Sequence, residues 1–162
     1  MFSSPLLRLA EVVLADARDR RLRIATAESC TGGLIGGLLT EIPGSSDVFE
    51  RGFIVYSNRA KSDLLGVPGD LIADAGAVSE PVARAMAEGA VANSHAHMAV
   101  AVTGVAGPGG GTKLKPVGLV HVAAARENRS ILHEAHRFGD IGRGEVRIRS
   151  VEAALLLLQR MM

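Results

Sequence analysis

Apolar positions recur at helical spacing from the start of the chain. Between Ser4 and Arg20, Leu6, Leu7, Leu9, Ala10, Val13, Leu14 and Ala17 share one side and charged residues take the other, which predicts an amphipathic helix. Past the charge cluster Arg18 to Arg21, the pattern changes to an apolar run over Leu22 to Ala27, then to Glu28, Ser29, Cys30 and Thr31, then to small residues from Gly32 onward. This reads as strand, turn and helix. In that helix Gly32 with Gly36, and Gly33 with Gly37, are four apart and share a face, so the backbone can lie close against a sheet.

Pro43, Gly44, Ser45 and Ser46 break the chain before Phe53 to Tyr56, an aromatic and β-branched run that predicts a second strand. A helix is expected from near Asn58, and Val67 to Ala77 is rich in turn residues. Ser79 with Pro81 then opens a long alanine-rich helix to about His95. Met98 to Val102 is apolar at every position, as in a strand buried on both faces at the centre of a sheet. The glycine-rich loop Gly104 to Gly111 leads into Val117 to Arg126 and Ser130 to Phe138, a predicted hairpin, and a last helix runs from about Gly144 to Met161. Strands alternating with helices and ending in one hairpin predict an α/β fold. The expected architecture is a three-layer α/β/α sandwich whose sheet is mostly parallel with one antiparallel strand, in a single domain over residues 1–162.

Composition narrows the function. A chain of 162 residues with 48% hydrophobic content supplies one sizeable core. Its longest apolar stretches fall far short of the roughly 20 residues that span a bilayer. Nothing in Met1 to Arg8 resembles a secretory leader, and the single cysteine, Cys30, cannot form an internal disulfide, so cytoplasmic residence is expected. A net charge of +1 and 3% aromatic residues argue against nucleic acid and against an acidic membrane surface as partners.

In an open α/β sheet, ligands bind beyond the carboxyl ends of the strands. Three polar turns meet that rule: Glu28 to Gly33, Tyr56 to Lys61, and Thr103 to Gly111. Ser29 is placed either to cap the following helix or to act as a nucleophile. Backbone N–H groups of Thr31, Gly32 and Gly33 are candidates to hold a phosphate or an oxyanion. The Ser-x-x-Lys arrangement is absent, because Gly32 stands where the lysine would be, so any base comes from elsewhere. Lys61 is the candidate: with Asn58 as cap it falls in the first helical turn, where the dipole disfavours an ammonium. Tyr56 is a candidate relay between Ser29 and Lys61; a solvated lysine and a half-buried aromatic are the plain alternatives.

The run Thr103 to Gly111 matches neither phosphate-loop nor dinucleotide fingerprints, and reads either as a backbone wall around a ligand or as a flexible connection. Arg143 and Arg147, four apart, share a helix face suited to a phosphate, or simply to solvent. The five histidines lack metal-site spacing, so no metal is expected. Cys30 is either a thiolate at a helix N-terminus or a small buried side chain.

Taken together, TAESCTGG at Thr26 to Gly33, FERGFIVYSNRAK at Phe49 to Lys61, GAVSEPVA at Gly76 to Ala83, TGVAGPGGG at Thr103 to Gly111 and KPVG at Lys115 to Gly118 resemble the CinA C-terminal domain family, in order and over nearly the whole chain. The resemblance implies a fold like that of anticodon-binding domains. It also implies an amidohydrolase that converts nicotinamide mononucleotide and water to nicotinate mononucleotide and ammonia without a metal or cofactor. By the same resemblance Ser29 is the nucleophile, with Tyr56 and Lys61 as its proton acceptors. Thr103 and Arg143 match two further family positions, and Glu28, Cys30, Thr31, Gly32, Gly33 and Gly104 are the other candidate substrate contacts. Here Ile141 and Gly142 separate Asp140 from Arg143, where the family often has Gly-Asp-Arg in succession. Family members commonly form homo-oligomers. Longer ones carry an extra pyrophosphatase-like domain that has no counterpart in this sequence, so the resemblance implies the amidohydrolase activity alone. Three other readings stay open: a nucleotide- or phosphate-binding module without a competent base, an amidase for another small substrate, and a thiol hydrolase using Cys30.

Overall fold

Met98 to Val102 carry no exposed surface, and the strand they belong to is the middle one of a five-stranded sheet. A computed structural model describes all residues, 1–162. In chain order the elements are α1 (Ser4–Asp19), β1 (Ile24–Glu28), α2 (Leu34–Glu41), β2 (Phe49–Ile54), α3 (Asn58–Leu65), α4 (Gly69–Ala75), α5 (Glu80–Ala92), β3 (Met98–Gly104), β4 (Leu119–Arg126), β5 (Leu132–Arg137) and α6 (Arg143–Met161). The strand order is β2-β1-β3-β4-β5. β1 runs parallel to both β2 and β3, while β4 is antiparallel to β3 and to β5. Four strands therefore point one way and β4 alone the other, as the alternation of elements predicts.

Alternation along the strands divides the core in two. Ile24, Met98, Val100, Val102, Val120 and Val122 face α1, α2 and α6, in a cluster completed by Leu14, Ile35, Leu38, Leu155 and Leu158. The opposite face is built of small side chains: Ala25, Ala27, Ala99, Ala101, Ala123 and Ala125 meet Ala83, Met86, Ala87 and Ala90 of α5. A sheet face of alanines lets α5 lie close, and α3 and α4 pack outside it. No helix is long and apolar enough to cross a membrane.

Local chemistry moved some boundaries away from the pattern. Gly32 and Gly33 have φ of +56° and +99°, so they form a left-handed turn and α2 starts only at Leu34. The turn-rich stretch before Ala77 contains α4, which follows Pro68 and has Asp70 in its first turn. The second strand is Phe49–Ile54 rather than Phe53 to Tyr56, because Val55 and Tyr56 leave the ladder after the Val55 amide bonds the Glu28 carbonyl at 2.9 Å.

The chain moves from β1 outward to β2, then returns across β1 to β3. Helix α2 covers one face after β1, and α3 to α5 cover the other before β3. Such a reversal opens a crevice at the carboxyl ends of β1 and β3, and the Ser29 and Thr103 turns begin there.

Close packing of α5 on α3 fixes one side of that crevice. A Cβ at Gly89 would collide with the Leu65 carbonyl oxygen at the end of α3. Gly89→Ala is therefore expected to destabilise the protein by about 1–3 kcal/mol, read as a lower urea midpoint with an unchanged slope.

Candidate active site

The site starts with a carboxylate. Thr26 and Glu28 share the α2 face of β1, and the Glu28 side chain, 1% exposed, fills the N-terminus of that helix. Its Oε1 accepts from the amides of Gly33 (3.2 Å) and Ile35 (2.9 Å); its Oε2 accepts from the Gly36 amide (3.0 Å) and the Thr26 hydroxyl (3.2 Å). An anion at a helix start satisfies orphan amides and the dipole together. At Gly36 an added Cβ would crowd the Phe49 ring at 3.2 Å while meeting Oε2 at an ordinary contact distance of 3.6 Å.

That arrangement corrects three expectations. Glu28 has no free lone pair facing a substrate, and Ser29 does not cap α2. The Gly32 and Gly33 amides are also taken, the first by the Ser29 carbonyl at 3.1 Å and the second by Glu28. The amides of Cys30 and Thr31 donate to no carbonyl or side-chain oxygen, and Thr31, fully buried, also leaves its hydroxyl oxygen without a partner.

Ser29 follows β1 directly, its amide bonded to the Val102 carbonyl at 3.0 Å, so the hydroxyl is held at the carboxyl end of the sheet. Lys61 reaches it from α3: Nζ lies 3.0 Å from Ser29 Oγ, 3.1 Å from the Val55 carbonyl and 3.4 Å from the Tyr56 carbonyl. The helix is capped by Ser57, whose hydroxyl accepts from the Ala60 amide at 3.0 Å, and not by Asn58. Lys61 is 1% exposed and has no carboxylate partner. Burial pushes its pKa down from 10.5, opposed in part by the nearby Cys30. The three contacts suit both forms of the amine. As –NH₂ it gives two hydrogens to two carbonyls and presents its lone pair to the serine O–H; as ammonium it donates to all three. The Cys30 thiol is pushed up to about 11, chiefly by burial, which makes it a poor nucleophile at neutral pH.

Around this pair opens a cavity of about 300 Å³. Thr103, Gly104 and the Gly107 to Gly110 loop line one side, so that loop is a wall and not a loose connection. Tyr56 does not stand between Ser29 and Lys61. Its ring is 62% exposed at the mouth, where its hydroxyl accepts from Arg143 at 3.0 Å. Arg143 also donates to the Gly107 carbonyl at 2.7 Å. Arg147, expected beside it, turns inward and donates to the carbonyls of Cys30 (3.0 Å) and Thr31 (3.2 Å). Thr103, 1% exposed, spends its hydroxyl on the Ala77 carbonyl at 2.9 Å. With Ser79 Oγ on the Gly76 carbonyl and Lys115 Nζ on that of Ala75, three consecutive carbonyls are pinned, holding Ala77 and Val78 as the wall opposite the glycine loop.

Comparison with known proteins gives the family and the fold. The model of the CinA C-terminal domain matches residues 6–162. The chain belongs to the CinA C-terminal domain family. It is 55% identical over 152 residues to a CinA-like protein of Synechococcus sp. (strain RCC307), covering 93% of this chain and 36% of that protein. A CinA-like protein of Syntrophobacter fumaroxidans is 49% identical over 154 residues, with 95% and 36% covered. The chain thus spans about a third of the length of these curated relatives. Among solved structures, the competence/damage inducible protein CihA from Agrobacterium tumefaciens superposes with a TM-score of 0.98 at 50% identity, over 99% of this chain and 98% of that one. A CinA superfamily protein from Escherichia coli gives 0.92 at 28%, over 100% and 94%.

In this CinA domain the polar turns at the carboxyl strand ends located Ser29, Lys61, Thr103 and Gly104, and the family resemblance pointed to Arg143. The role of Glu28, the capping by Ser57, and Asn58, Ala77 and Val78 as lining went unread. An acidic residue shortly before a glycine-led helix was the available signal for Glu28.

Two outcomes follow from the carboxylate and the amine. Glu28→Gln keeps the shape but puts amide hydrogens against backbone N–H groups, and is expected to lower stability by about 1–3 kcal/mol in denaturant titrations. Because the folded pKa of Lys61 lies below its unfolded value, the unfolded chain binds more protons and stability rises with pH through that interval. The melting temperature of the wild type minus that of Lys61→Met should therefore increase as pH is raised toward 10.5 and level off beyond it.

Proposed function

We propose that this domain is a serine amidohydrolase that converts the carboxamide of nicotinamide mononucleotide to a carboxylate, releasing ammonia. The observation that carries the reading is the buried Lys61 amine 3.0 Å from Ser29 Oγ, with burial favouring its neutral form. Ser29 Oγ attacks the carboxamide carbon as its proton passes to Lys61. The resulting ammonium donates that proton to the departing nitrogen, and ammonia leaves an acyl-serine. Water then attacks the acyl carbon, its proton goes to Lys61 and on to Ser29, and the carboxylate is released. The unpaired amides of the Cys30 and Thr31 turn are the donors available to the oxyanion in both steps.

The substrate assignment rests on the family resemblance, and the lining is compatible with it. A cavity of about 300 Å³ suits a small molecule. Arg143, with Asn58 and the Tyr56 hydroxyl near it, gives the mouth a cation for an anionic substrate end. Tyr56 then belongs to substrate binding at the mouth, while Lys61 alone handles the proton.

Purified protein incubated with nicotinamide mononucleotide in chelator should release ammonia. Ser29→Ala should lose at least about 10³-fold of that rate with its melting temperature retained. Cys30→Ala, which keeps the backbone amide, should retain most of it. Binding without ammonia release by the wild type would replace the enzyme with a binding module. Equal efficiency on the nucleotide and on its phosphate-free riboside would remove Arg143 from the anion-binding role.

A further inference from the structure

Arg147 is a half-buried arginine of α6 that turns away from the cavity. Its guanidinium lies against the turn after the nucleophile, with Nε on the Cys30 carbonyl (3.0 Å) and Nη2 on the Thr31 carbonyl (3.2 Å), across 117 and 116 residues of sequence. Gly32 lies beside it with a φ of +56° that favours glycine, and a Cβ there would meet Nη2 at a contact distance of 3.4 Å. Arg143 occupies the cavity mouth and Arg149 pairs with Glu145 in solvent. The two flanking arginines therefore do different work.

A trans peptide points its C=O and N–H in opposite directions, so holding the Cys30 carbonyl fixes where the Thr31 amide aims. Holding the Thr31 carbonyl fixes the next plane, whose Gly32 amide closes the turn onto the Ser29 carbonyl at 3.1 Å. With both planes set, the amides left without an acceptor are those of Cys30 and Thr31. A charged donor on a carbonyl also polarises that peptide and strengthens the N–H on its far side. Resting on the serine-nucleophile reading above, we infer that Arg147 is the positioning residue of the oxyanion-binding turn: its fork fixes and polarises the Cys30–Thr31 peptide that carries the unpaired Thr31 amide and, through the Gly32 amide on the Ser29 carbonyl, holds the peptide that carries the Cys30 amide. It touches no substrate. A lysine cannot replace it, because a single ammonium does not span two carbonyls with a planar fork.

The test reads Ser29 itself and does not depend on the natural substrate. A fluorophosphonate is attacked by Ser29 Oγ, which forms the phosphorus–oxygen bond as fluoride leaves and the hydroxyl proton passes to Lys61; negative charge develops on the phosphoryl oxygen as it would on the oxyanion. Labelling rates are measured for the full chain, for Arg147→Gln, Arg147→Lys and Arg149→Gln, and for Ser29→Ala as the blank, each with its melting temperature. The expected result is labelling at least about fivefold slower in both Arg147 variants while Arg149→Gln matches the wild type. Where ammonia release is measurable, the Arg147 variants should lose kcat with KM held within about twofold, which general loosening of the fold would not produce. A folded Arg147 variant of either kind that labels less than about fivefold more slowly overturns the inference, and Arg147→Lys decides if Arg147→Gln does not fold. A wild type that never labels at Ser29 overturns the nucleophile reading, and the positioning role with it.

Discussion

An amine buried without a counter-ion is the constraint around which the site is organised. Lys61 has two backbone carbonyls and one hydroxyl for company, and no carboxylate within ion-pair distance. A nearby acid would have stabilised the ammonium and lifted its pKa; burial alone pushes it down. The same three contacts satisfy the amine with two hydrogens or with three. Placing that amine at the carboxyl end of the sheet required a short helix, α3, capped by its own serine and packed against α5 closely enough that Gly89 admits no side chain.

The lowered pKa of Lys61 would be undone if the strongest anion in the neighbourhood pointed at it. Glu28 is one residue from Ser29, yet its carboxylate is turned to the opposite face of β1 and absorbed by four donors, three of them amides at the start of α2. The helix N-terminus that looked like a place for a substrate anion is thus occupied by the protein's own. Its effect on the site is mechanical: it ties β1 to α2 across the left-handed Gly32–Gly33 turn between them. Arg147 holds the outer side of that turn and Glu28 the inner side, leaving the Cys30 and Thr31 amides unclaimed.

The opposite wall follows the same logic with different parts. Lys115, Ser79 and Thr103 each bind one carbonyl of the Ala75–Ala77 segment, so an irregular stretch between two helices behaves as a rigid surface. Buried carbonyls need partners, and here side chains supply them where no ladder or helix can. Binding surface made from pinned backbone presents the same shape to each ligand that enters, at little ordering cost.

Periodicity in the sequence determined the layered α/β sandwich, the central placement of Met98 to Val102, the hairpin, and the collection of Ser29, Lys61, Thr103, Gly104 and Arg143 at one end of the sheet. All but Arg143, which the family resemblance pointed to, follow from local rules: a strand buried on both faces has no polar position, and crevices form where strands hand over to helices. Boundaries at Gly32 and Gly33, and the small helix Gly69–Ala75, escaped those rules because a left-handed turn and a helix behind Pro68 depend on dihedral choices that apolar spacing does not record. Which of several polar groups near a turn meet one another was decided only by the folded chain. Glu28 went to α2 and not to the cavity, Tyr56 to Arg143 and not to Ser29, Arg147 to Cys30 and Thr31 and not to solvent. Each of those pairings except the first joins residues at least 87 positions apart, and pairing over such distances is set by the packing of whole elements, which residue spacing along a chain cannot encode.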